Sequence, residues 1–390
     1  MQRPRMLLGA ARCGCWLLLL VGCSAVEPRA VSPDLSEPVF ASGWLLQGSL
    51  SLEPGFCSLA TVGLDVTVLP AELPPPQNTR PVGLACRDAV TRLLPSSTGS
   101  PGEWVRLDGA PAWAEEPVRV DARQTDVLAV LYRVPEPRGI AILFAGLAMP
   151  ADAEVMRRFA DALARRGWLS AVVLRDESIS GFDPRWEAHR GLALARELRR
   201  LCAPGREPAL AFLGVSMGGL EALLAGRDAP ASLGPADVRV AVLDPVLDFR
   251  AVASHLDSFF HDVSTDAMQT YFQRIMAGRY RVAPVRFADV LTRVPPSGRM
   301  TSLERDEPTR WLCEGPVERY RVFLSRLDPV LGDAQRASLE ARGFPFRRTA
   351  AAGHVPLACD LSLFDAMVEA ATGPPPSGTV RCSGASQPRG

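Results

Sequence analysis

Short apolar runs alternate with longer amphipathic segments from about residue 117 to residue 372. The apolar runs VRVDA, DVLAVLYRVP, GIAILFAG and WLSAVVLRD predict strands, and continuous apolar stretches such as IAILF and AVVL predict burial on both faces. In the longer segment ADAEVMRRFADALARRG, Val155, Phe159 and Leu163 fall on one face of a helix. Strands that alternate with helices predict an α/β fold with a mostly parallel sheet between two helical layers.

The same alternation continues toward the C-terminus. Further strands are predicted at PALAFLGV, VRVAVLDP and RYRVFLS, and a last one around FRRTAAAG. Further helices are predicted at WEAHRGLALARELRRLC, GGLEALLAG, DAQRASLEARG and LSLFDAMVEAA. The alternation stops between residues 246 and 313, where STDAMQTYFQRIMAG and VRFADVLTRV both have helical periodicity. We therefore expect a helical insertion in that range.

The first 23 residues have the pattern of a secretory signal. A basic start, MQRPR, precedes an apolar run too short to span a membrane. Its end, Leu20-Val21-Gly22-Cys23, resembles the lipobox of bacterial lipoproteins, in which the cysteine is lipidated. Ser24 resembles a signal for delivery to the outer membrane. We expect a lipid-anchored protein of the bacterial cell envelope, with ordinary signal cleavage near Ala25 or an uncleaved anchor as the alternatives.

Two regions outside the alternating pattern are rich in Pro, Gly and Ser. Residues 24–112 contain LPAELPPPQ and LLPSSTGSPGEW, with a single period-2 strand pattern at ATVGLDVTVLP. That range is expected to be a small β-rich appendage or a spacer. Residues 373–390 are expected to be a flexible tail.

Composition and charge exclude one class of partner. The 390-residue chain is 47% apolar and 22% charged, which is typical of a globular protein. Its formal net charge is +0, with 43 basic and 43 acidic residues. Because nucleic-acid binding needs a basic surface, we expect no nucleic-acid partner.

The cysteines agree with export. Cys13 and Cys15 lie in the signal, and Cys23 is the predicted lipidation site. An even number then remains, which suggests disulfides outside the cytosol. Proximity in sequence favours Cys57–Cys86 and Cys359–Cys382, which leaves Cys202–Cys313. Buried free thiols are the alternative.

Ser216 is the candidate nucleophile. It lies in Gly214-Val215-Ser216-Met217-Gly218, directly after the apolar strand LAFLGV and before the helix GGLEALLA. This strand–turn–helix context is the one that a nucleophile elbow requires. The helix N-terminus behind the serine favours developing negative charge.

A serine nucleophile needs a base, and the chain has four histidines. His354 lies in a loop after the last predicted strand, where the carboxyl ends of parallel strands meet. His189 lies mid-helix, and His255 and His261 lie in the helical insertion. We therefore predict His354 as the general base.

The base in turn needs a carboxylate that holds its tautomer. Asp328 directly follows a strand and is favoured. Asp244 and Asp248, which follow the preceding strand, compete with it. Asp333 is expected to cap the next helix.

The order Ser216, Asp328, His354, the elbow GVSMGG and the strand GIAILFAG resemble the α/β-hydrolase superfamily over about residues 118–372. The resemblance implies an α/β-hydrolase fold with a mostly parallel eight-stranded sheet, helices on both faces and a helical cap. The core would then comprise residues 113–245 and 314–372, and the insertion at 246–313 would be the cap.

The resemblance also implies an oxyanion hole. Its donors would be the backbone N–H groups of Met217, directly after the nucleophile, and of Leu147, after the third strand. The family often has His-Gly where this chain has Ala145-Gly146, a change that a backbone donor tolerates.

The function implied is that of a serine hydrolase that cleaves an ester through an acyl-enzyme, with a small or lipid-like acyl substrate. A peptidase, thioesterase or acyltransferase with the same triad is an alternative, because fold alone does not select among them. A non-catalytic envelope protein that binds ligands is another. The sequence contains no metal or nucleotide motif, so no cofactor is expected.

Overall fold

The structure is a computed structural model. It describes residues 79–87, 102–108, 127–146, 154–174, 184–234, 237–248, 307–326, 328, 331–350, 354, 362–374 and 382. The signal segment 1–23, the predicted strand ATVGLDVTVLP, His255, His261 and the helical segments of the predicted cap lie outside these residues.

A single mostly parallel sheet forms the centre of the described part of the chain. Its strands are β1 (Arg80–Pro81), β2 (Glu103–Leu107), β3 (Val127–Tyr132), β4 (Gly139–Phe144), β5 (Trp168–Val173), β6 (Ala209–Val215), β7 (Val238–Leu243), β8 (Tyr320–Leu324) and β9 (Phe346–Arg348). They lie in the order β1-β2-β3-β5-β4-β6-β7-β8-β9. Only β3 among them runs antiparallel to both of its neighbours.

Helices cover both faces of this sheet. They are α1 (Val82–Arg87), α2 (Glu154–Arg165), α3 (Pro184–Cys202), α4 (Met217–Leu233), α5 (Pro308–Trp311), α6 (Ala334–Ala341) and α7 (Ser362–Thr372). Alternate residues of β4 point to opposite faces. Ile140 and Ile142 pack in the core beneath α3 and α4, whereas Ala141 and Leu143 pack beneath α2 and α7. The predicted α/β class, with buried parallel strands between two helical layers, is confirmed.

The described residues form nine strands of this sheet where eight were expected. Two of them, β1 and β2, come from the N-terminal region, and the predicted strand VRVDA lies outside the described residues. β2 pairs antiparallel with β3, and the two-residue β1 pairs parallel with β2. Arg133 fixes this edge through an ion pair with Glu103 (3.1 Å) and a hydrogen bond to the Ala85 carbonyl (2.9 Å). Residues predicted as an appendage or spacer therefore extend the main sheet.

The predicted disulfide pairing is wrong. The structure joins Cys86 to Cys202 and Cys313 to Cys382, with Cα atoms 5.1 Å and 5.8 Å apart. Packing of α1 against α3 brings the first pair together across 116 residues of sequence. Proximity in sequence failed as a guide because both bridges connect separate elements of the fold. Cys57 and Cys359 lie outside the described residues.

Among the residues that the structure describes, no helix is both long enough and apolar enough to cross a membrane.

Candidate active site

Ser216 lies in the tight turn between β6 and α4, near the middle of the sheet. Its φ is 55° and its ψ is −126°, values that a non-glycine residue rarely adopts. The Ser216 N–H donates to the Leu243 carbonyl (2.9 Å), and the Ser216 carbonyl accepts from the Gly219 N–H (2.9 Å). These backbone bonds hold the strained turn in place.

The glycines around the serine are required by close backbone contacts. A Cβ on Gly214 would overlap the carbonyl of Gly218, and a Cβ on Gly218 would overlap the carbonyl of Phe144 at the end of β4. Gly146 lies on the neighbouring loop, where a Cβ would be 3.5 Å from the Ser216 Cβ. The loop after β4 therefore begins beside the candidate nucleophile.

The structure brings the three predicted residues into one hydrogen-bonded chain. His354 Nε2 lies 2.9 Å from Ser216 Oγ, and His354 Nδ1 lies 2.9 Å from Asp328 Oδ2. The side chains of His354 and Asp328 are only 11% and 9% exposed. A carboxylate only accepts, so Nδ1 carries the proton and Nε2 is free to accept from the serine hydroxyl.

Asp328 is itself oriented by the loop that follows β8. Its Oδ1 accepts the Leu331 N–H (2.9 Å), and its backbone carbonyl accepts the Gly332 N–H (3.0 Å). Its Oδ2 is thereby directed at the histidine. Asp333 is the residue before α6, as expected, but its side chain makes no capping hydrogen bond.

Asp244, the competing carboxylate, lies deeper and is 1% exposed. Its Oδ1 accepts the Ser325 N–H (2.7 Å) and its Oδ2 accepts the Ser325 hydroxyl (2.5 Å). Burial, followed by the charge of Asp328, raises the pKa of Asp244 to about 7, although His354 and Ser325 oppose that rise. Asp328, not Asp244, makes the hydrogen bond to the histidine. Asp248 lies four residues further along the same segment.

The carboxylates also affect the histidine. Burial by itself would lower the pKa of His354, but the charge and hydrogen bond of Asp328, together with the charge of Asp244, raise it above its usual value. The imidazolium that forms when the histidine takes a proton is therefore stabilised.

Of the two predicted oxyanion donors, Met217 is described and Leu147 is not. Met217 is the first residue of α4, where backbone N–H groups lack partners within the helix. It is buried directly after Ser216. His189 lies in α3 and is not part of the chain from Ser216 to Asp328.

Asp244, Asp328 and His354 also offer three potential metal-ligand atoms within 4.8 Å of one another. Both oxygens of Asp244 accept from Ser325, both oxygens of Asp328 are engaged, and both ring nitrogens of His354 have partners. The group therefore has the connectivity of a hydrogen-bonded relay and not that of a cation site.

Sequence reasoning missed Ser325, which directly follows β8 and contacts the buried Asp244. Its position directly after a predicted strand could have marked it as a site residue, but serine is common in such loops. The strand order identifies the fold. The strained serine follows β6, the acid follows β8 and the histidine follows β9. The fold is the α/β-hydrolase fold.

The chain is only distantly similar to known proteins. No protein-family model matches the chain, and no curated protein matches it. The chain is similar to a solved structure of lipase A from Candida antarctica in its closed state, at 11% identity and a TM-score of 0.47 over 66% of this chain and 76% of that one. A hyperthermophilic esterase from the archaeon Pyrobaculum calidifontis matches at 14% identity and a TM-score of 0.41 over 62% and 80%.

A puromycin-hydrolysing peptidase from Mycobacterium tuberculosis matches at 16% identity and a TM-score of 0.44, over 66% of this chain. The match spans only 39% of that peptidase. At such identities and scores these neighbours carry no argument about the reaction, which has to come from the site itself.

Proposed function

We propose that the protein is a serine hydrolase that cleaves an acyl ester, with Ser216 as nucleophile, His354 as general base and Asp328 as the acid that orients the histidine. The observation that carries this proposal is the unbroken chain of two 2.9 Å hydrogen bonds from Ser216 Oγ through the imidazole to Asp328. This chain matches the arrangement by which a base activates a serine hydroxyl and is itself oriented by a third group.

In the proposed reaction, Ser216 Oγ attacks the acyl carbonyl while its proton moves to His354 Nε2. The resulting imidazolium keeps its Nδ1–H on Asp328. Backbone N–H groups of Met217 and Leu147 would hold the oxyanion, each worth about 3 kcal/mol of barrier. Collapse breaks the ester bond, and the leaving alcohol takes the proton from Nε2. Water, deprotonated by His354, then releases the acid and restores Ser216.

The same residues could act on a thioester or a peptide bond, or pass the acyl group to an acceptor other than water. No described residue selects among these substrates, and ester cleavage is proposed because it is the commonest reaction of the superfamily that the sequence resembles. A non-catalytic role is disfavoured because all three groups keep a geometry that ligand binding alone does not require.

A fluorophosphonate probe tests the proposal. The protein lacking its signal, residues 24–390, is treated with the probe, and its intact mass is measured beside Ser216→Ala and His354→Ala. We expect one adduct on the wild type at Ser216, none on Ser216→Ala, and labelling of His354→Ala slower by at least about 10³-fold. Ester, thioester and peptide panels then identify the substrate class.

Two outcomes would contradict the assignment. Equal labelling of Ser216→Ala would place the nucleophile elsewhere, and no labelling of a folded wild type would exclude an activated serine. Arg200→Ala, an exposed change on α3, is a suitable control and should label like the wild type.

We also propose that Cys23 carries a lipid that anchors the protein in the envelope of a bacterium, which would give the enzyme a membrane as its partner. The lipobox-like Leu20-Val21-Gly22-Cys23 supports this. Radiolabelled palmitate should enter the wild-type protein in cells and not Cys23→Ala. Equal incorporation into both would contradict the proposed anchor.

A further inference from the structure

Asp244 is a buried carboxyl group that has no role in the proposed mechanism. It directly follows β7, which pairs with β8, the strand that leads to Asp328. Its φ of 45° lies in the left-handed region, where aspartate is more tolerated than most residues but still uncommon. The Asp244 N–H donates to the Phe323 carbonyl (2.9 Å). Its backbone is thereby fixed by the neighbouring strand.

The side chain of Asp244 is also held in place by hydrogen bonds. Both of its oxygens accept hydrogen bonds from Ser325, one from the N–H (2.7 Å) and one from the hydroxyl (2.5 Å). Two such donors favour a carboxylate, but burial outweighs them and raises the pKa of Asp244 to about 7, so the group is ionised above that pH. In a site that is 1% exposed, these bonds compensate part of the cost of burying a charge.

The charged groups that influence Asp244 are Asp328, from the loop after β8, and His354, from the loop after β9. One donor or acceptor atom from each of these three residues lies within 4.8 Å of the others. At that separation and degree of burial, charges interact strongly, because water screens them poorly. The imidazole therefore faces two acids, although only one of them bonds to it.

Resting on the proposed function, we infer that Asp244 is a second acid of the site, a positioning residue that stabilises protonated His354 from behind Asp328 and supports the reaction when Asp328 is removed. Asp244 takes no proton from the substrate or from Ser216. When the serine proton moves to Nε2, the positive charge on the ring interacts with both carboxylates, and the interaction is reversed when the leaving group takes that proton.

Asp244→Asn is a sharp test because the amide can keep the local bonds. Its oxygen can accept from the Ser325 N–H, and its NH₂ can donate to the Ser325 hydroxyl. Above the Asp244 pKa of about 7, where the carboxyl is ionised, mainly the charge is therefore lost. Asp248→Asn is the matched control, because it removes a carboxylate of the same segment that is not part of the cluster. Thermal melts establish that each variant is folded.

The first measurement is an NMR titration of His354 in protein labelled with ¹⁵N-histidine, whose four histidines are assigned by comparison with His354→Gln. Asp244→Asn should lower the pKa of His354, since it removes one of the charges that raise it, and Asp248→Asn should leave it unchanged. An unchanged pKa in Asp244→Asn would overturn the inference. This measurement needs no enzymatic activity.

The second measurement is the rate of fluorophosphonate labelling in Asp328→Ala, Asp244→Asn and the double variant. Loss of the orienting acid alone can cost about 10⁴-fold in a serine triad. We expect the labelling rate of Asp328→Ala to fall by less than that factor. Asp244→Asn should reduce the labelling rate by a factor at least roughly ten times larger in the Asp328→Ala background than in the wild type. Equal factors in both backgrounds would show that Asp244 is merely structural.

The two proposals can fail separately. If a folded wild type is not labelled, the hydrolase proposal fails, while the titration of His354 still decides whether Asp244 acts on the histidine. In the other case, labelling proceeds, the pKa of His354 is the same in Asp244→Asn as in the wild type, and Asp244→Asn slows labelling equally in both backgrounds. Asp244 is then excluded as a second acid, and the proposed triad is unaffected.

Discussion

Ser216 and Asp244 have φ values of 55° and 45°, and each directly follows one of two adjacent parallel strands. In both cases hydrogen bonds to a neighbouring strand hold the unusual backbone. The Ser216 N–H bonds to the end of β7, and the Asp244 N–H bonds to β8. The sheet therefore provides the energy that maintains strained residues at the site.

At the same scale, Gly218→Ala should be strongly destabilising. The new Cβ would meet the carbonyls of Phe144 and Ala145, which are backbone atoms and cannot move aside cheaply. We expect a loss of about 3 kcal/mol or more in the free energy of unfolding, measured by urea denaturation. Gly315→Ala is the control, because its Cβ would meet nothing within 4 Å. A cost equal to that of the control would contradict the tight elbow.

Stability should depend on pH through Asp244. Because the pKa of Asp244 rises from 3.8 to about 7 on folding, the folded protein holds a proton that the unfolded chain has lost in this window. The free energy of unfolding should therefore fall as pH rises from about 4 to about 7, by up to about 1.4 kcal/mol per pH unit from this group.

Asp244→Asn removes that dependence. The variant should gain stability relative to the wild type as pH rises through this window, by a few kcal/mol in total at the upper end. Urea unfolding of both proteins at several pH values measures the difference. A constant difference across the window would show that Asp244 does not titrate as described.

At the scale of elements, Arg190 of α3 forms a buried ion pair within the helix and also bonds to the carboxyl end of β5. Arg190 Nη1 donates to Glu187 (2.9 Å) and to the Leu174 carbonyl (3.1 Å). The two side chains are 5% and 2% exposed. A buried charge without its partner is costly, so the pair keeps Arg190 in place, and its bond to Leu174 holds the helix against the site edge of the sheet.

Arg190→Met should therefore cost about 3–5 kcal/mol, because it leaves the Glu187 carboxylate buried without its countercharge. Arg200→Met on the same helix is the matched control, since Arg200 pairs with Glu197 at 63% exposure. Such exposed pairs contribute little to stability, because water screens the two charges. Equal melting temperatures for the two variants would contradict a structural role for the buried pair.

At the scale of the whole molecule, two disulfides among the described residues connect segments that are distant in sequence. Cys86–Cys202 joins the N-terminal α1 to the end of α3, and Cys313–Cys382 joins the segment after α5 to the C-terminal tail. Bridges that close long loops restrict the unfolded chain most. Loss of one bridge typically costs about 2–5 kcal/mol.

Peptide mapping without reduction checks the pairing. Digestion by trypsin and a glutamate-specific protease separates Cys57 from Cys86 at Glu72, and Cys359 from Cys382 at Arg381. We expect linked peptides for Cys86–Cys202 and Cys313–Cys382. Linkage of Cys57 to Cys86 would contradict the structure. The double variant Cys86→Ser/Cys202→Ser should melt at a lower temperature than the wild type.

Periodicity predicted the strands and helices of the described core, because buried strands and amphipathic helices each have a pattern local to the chain. β4, β6 and α3 lie where those patterns placed them. Neither β1, β2 nor α1 was predicted, because these elements of two to six residues are too short for a clear periodic signal and lie in a range rich in Pro, Gly and Ser. The ninth strand and both disulfides depended on contacts between distant segments.

The sequence by itself determined the fold class and the three candidate residues, since Ser216, Asp328 and His354 each follow a predicted strand and parallel strands present their carboxyl ends at one edge. Only the tertiary structure decided which acid bonds to the histidine. The sequence favoured Asp328 but left Asp244 as a competitor, because both follow strands. The choice depends on a difference of a few ångströms, set by the Leu331 N–H that orients Asp328 and by the Ser325 donors that hold Asp244.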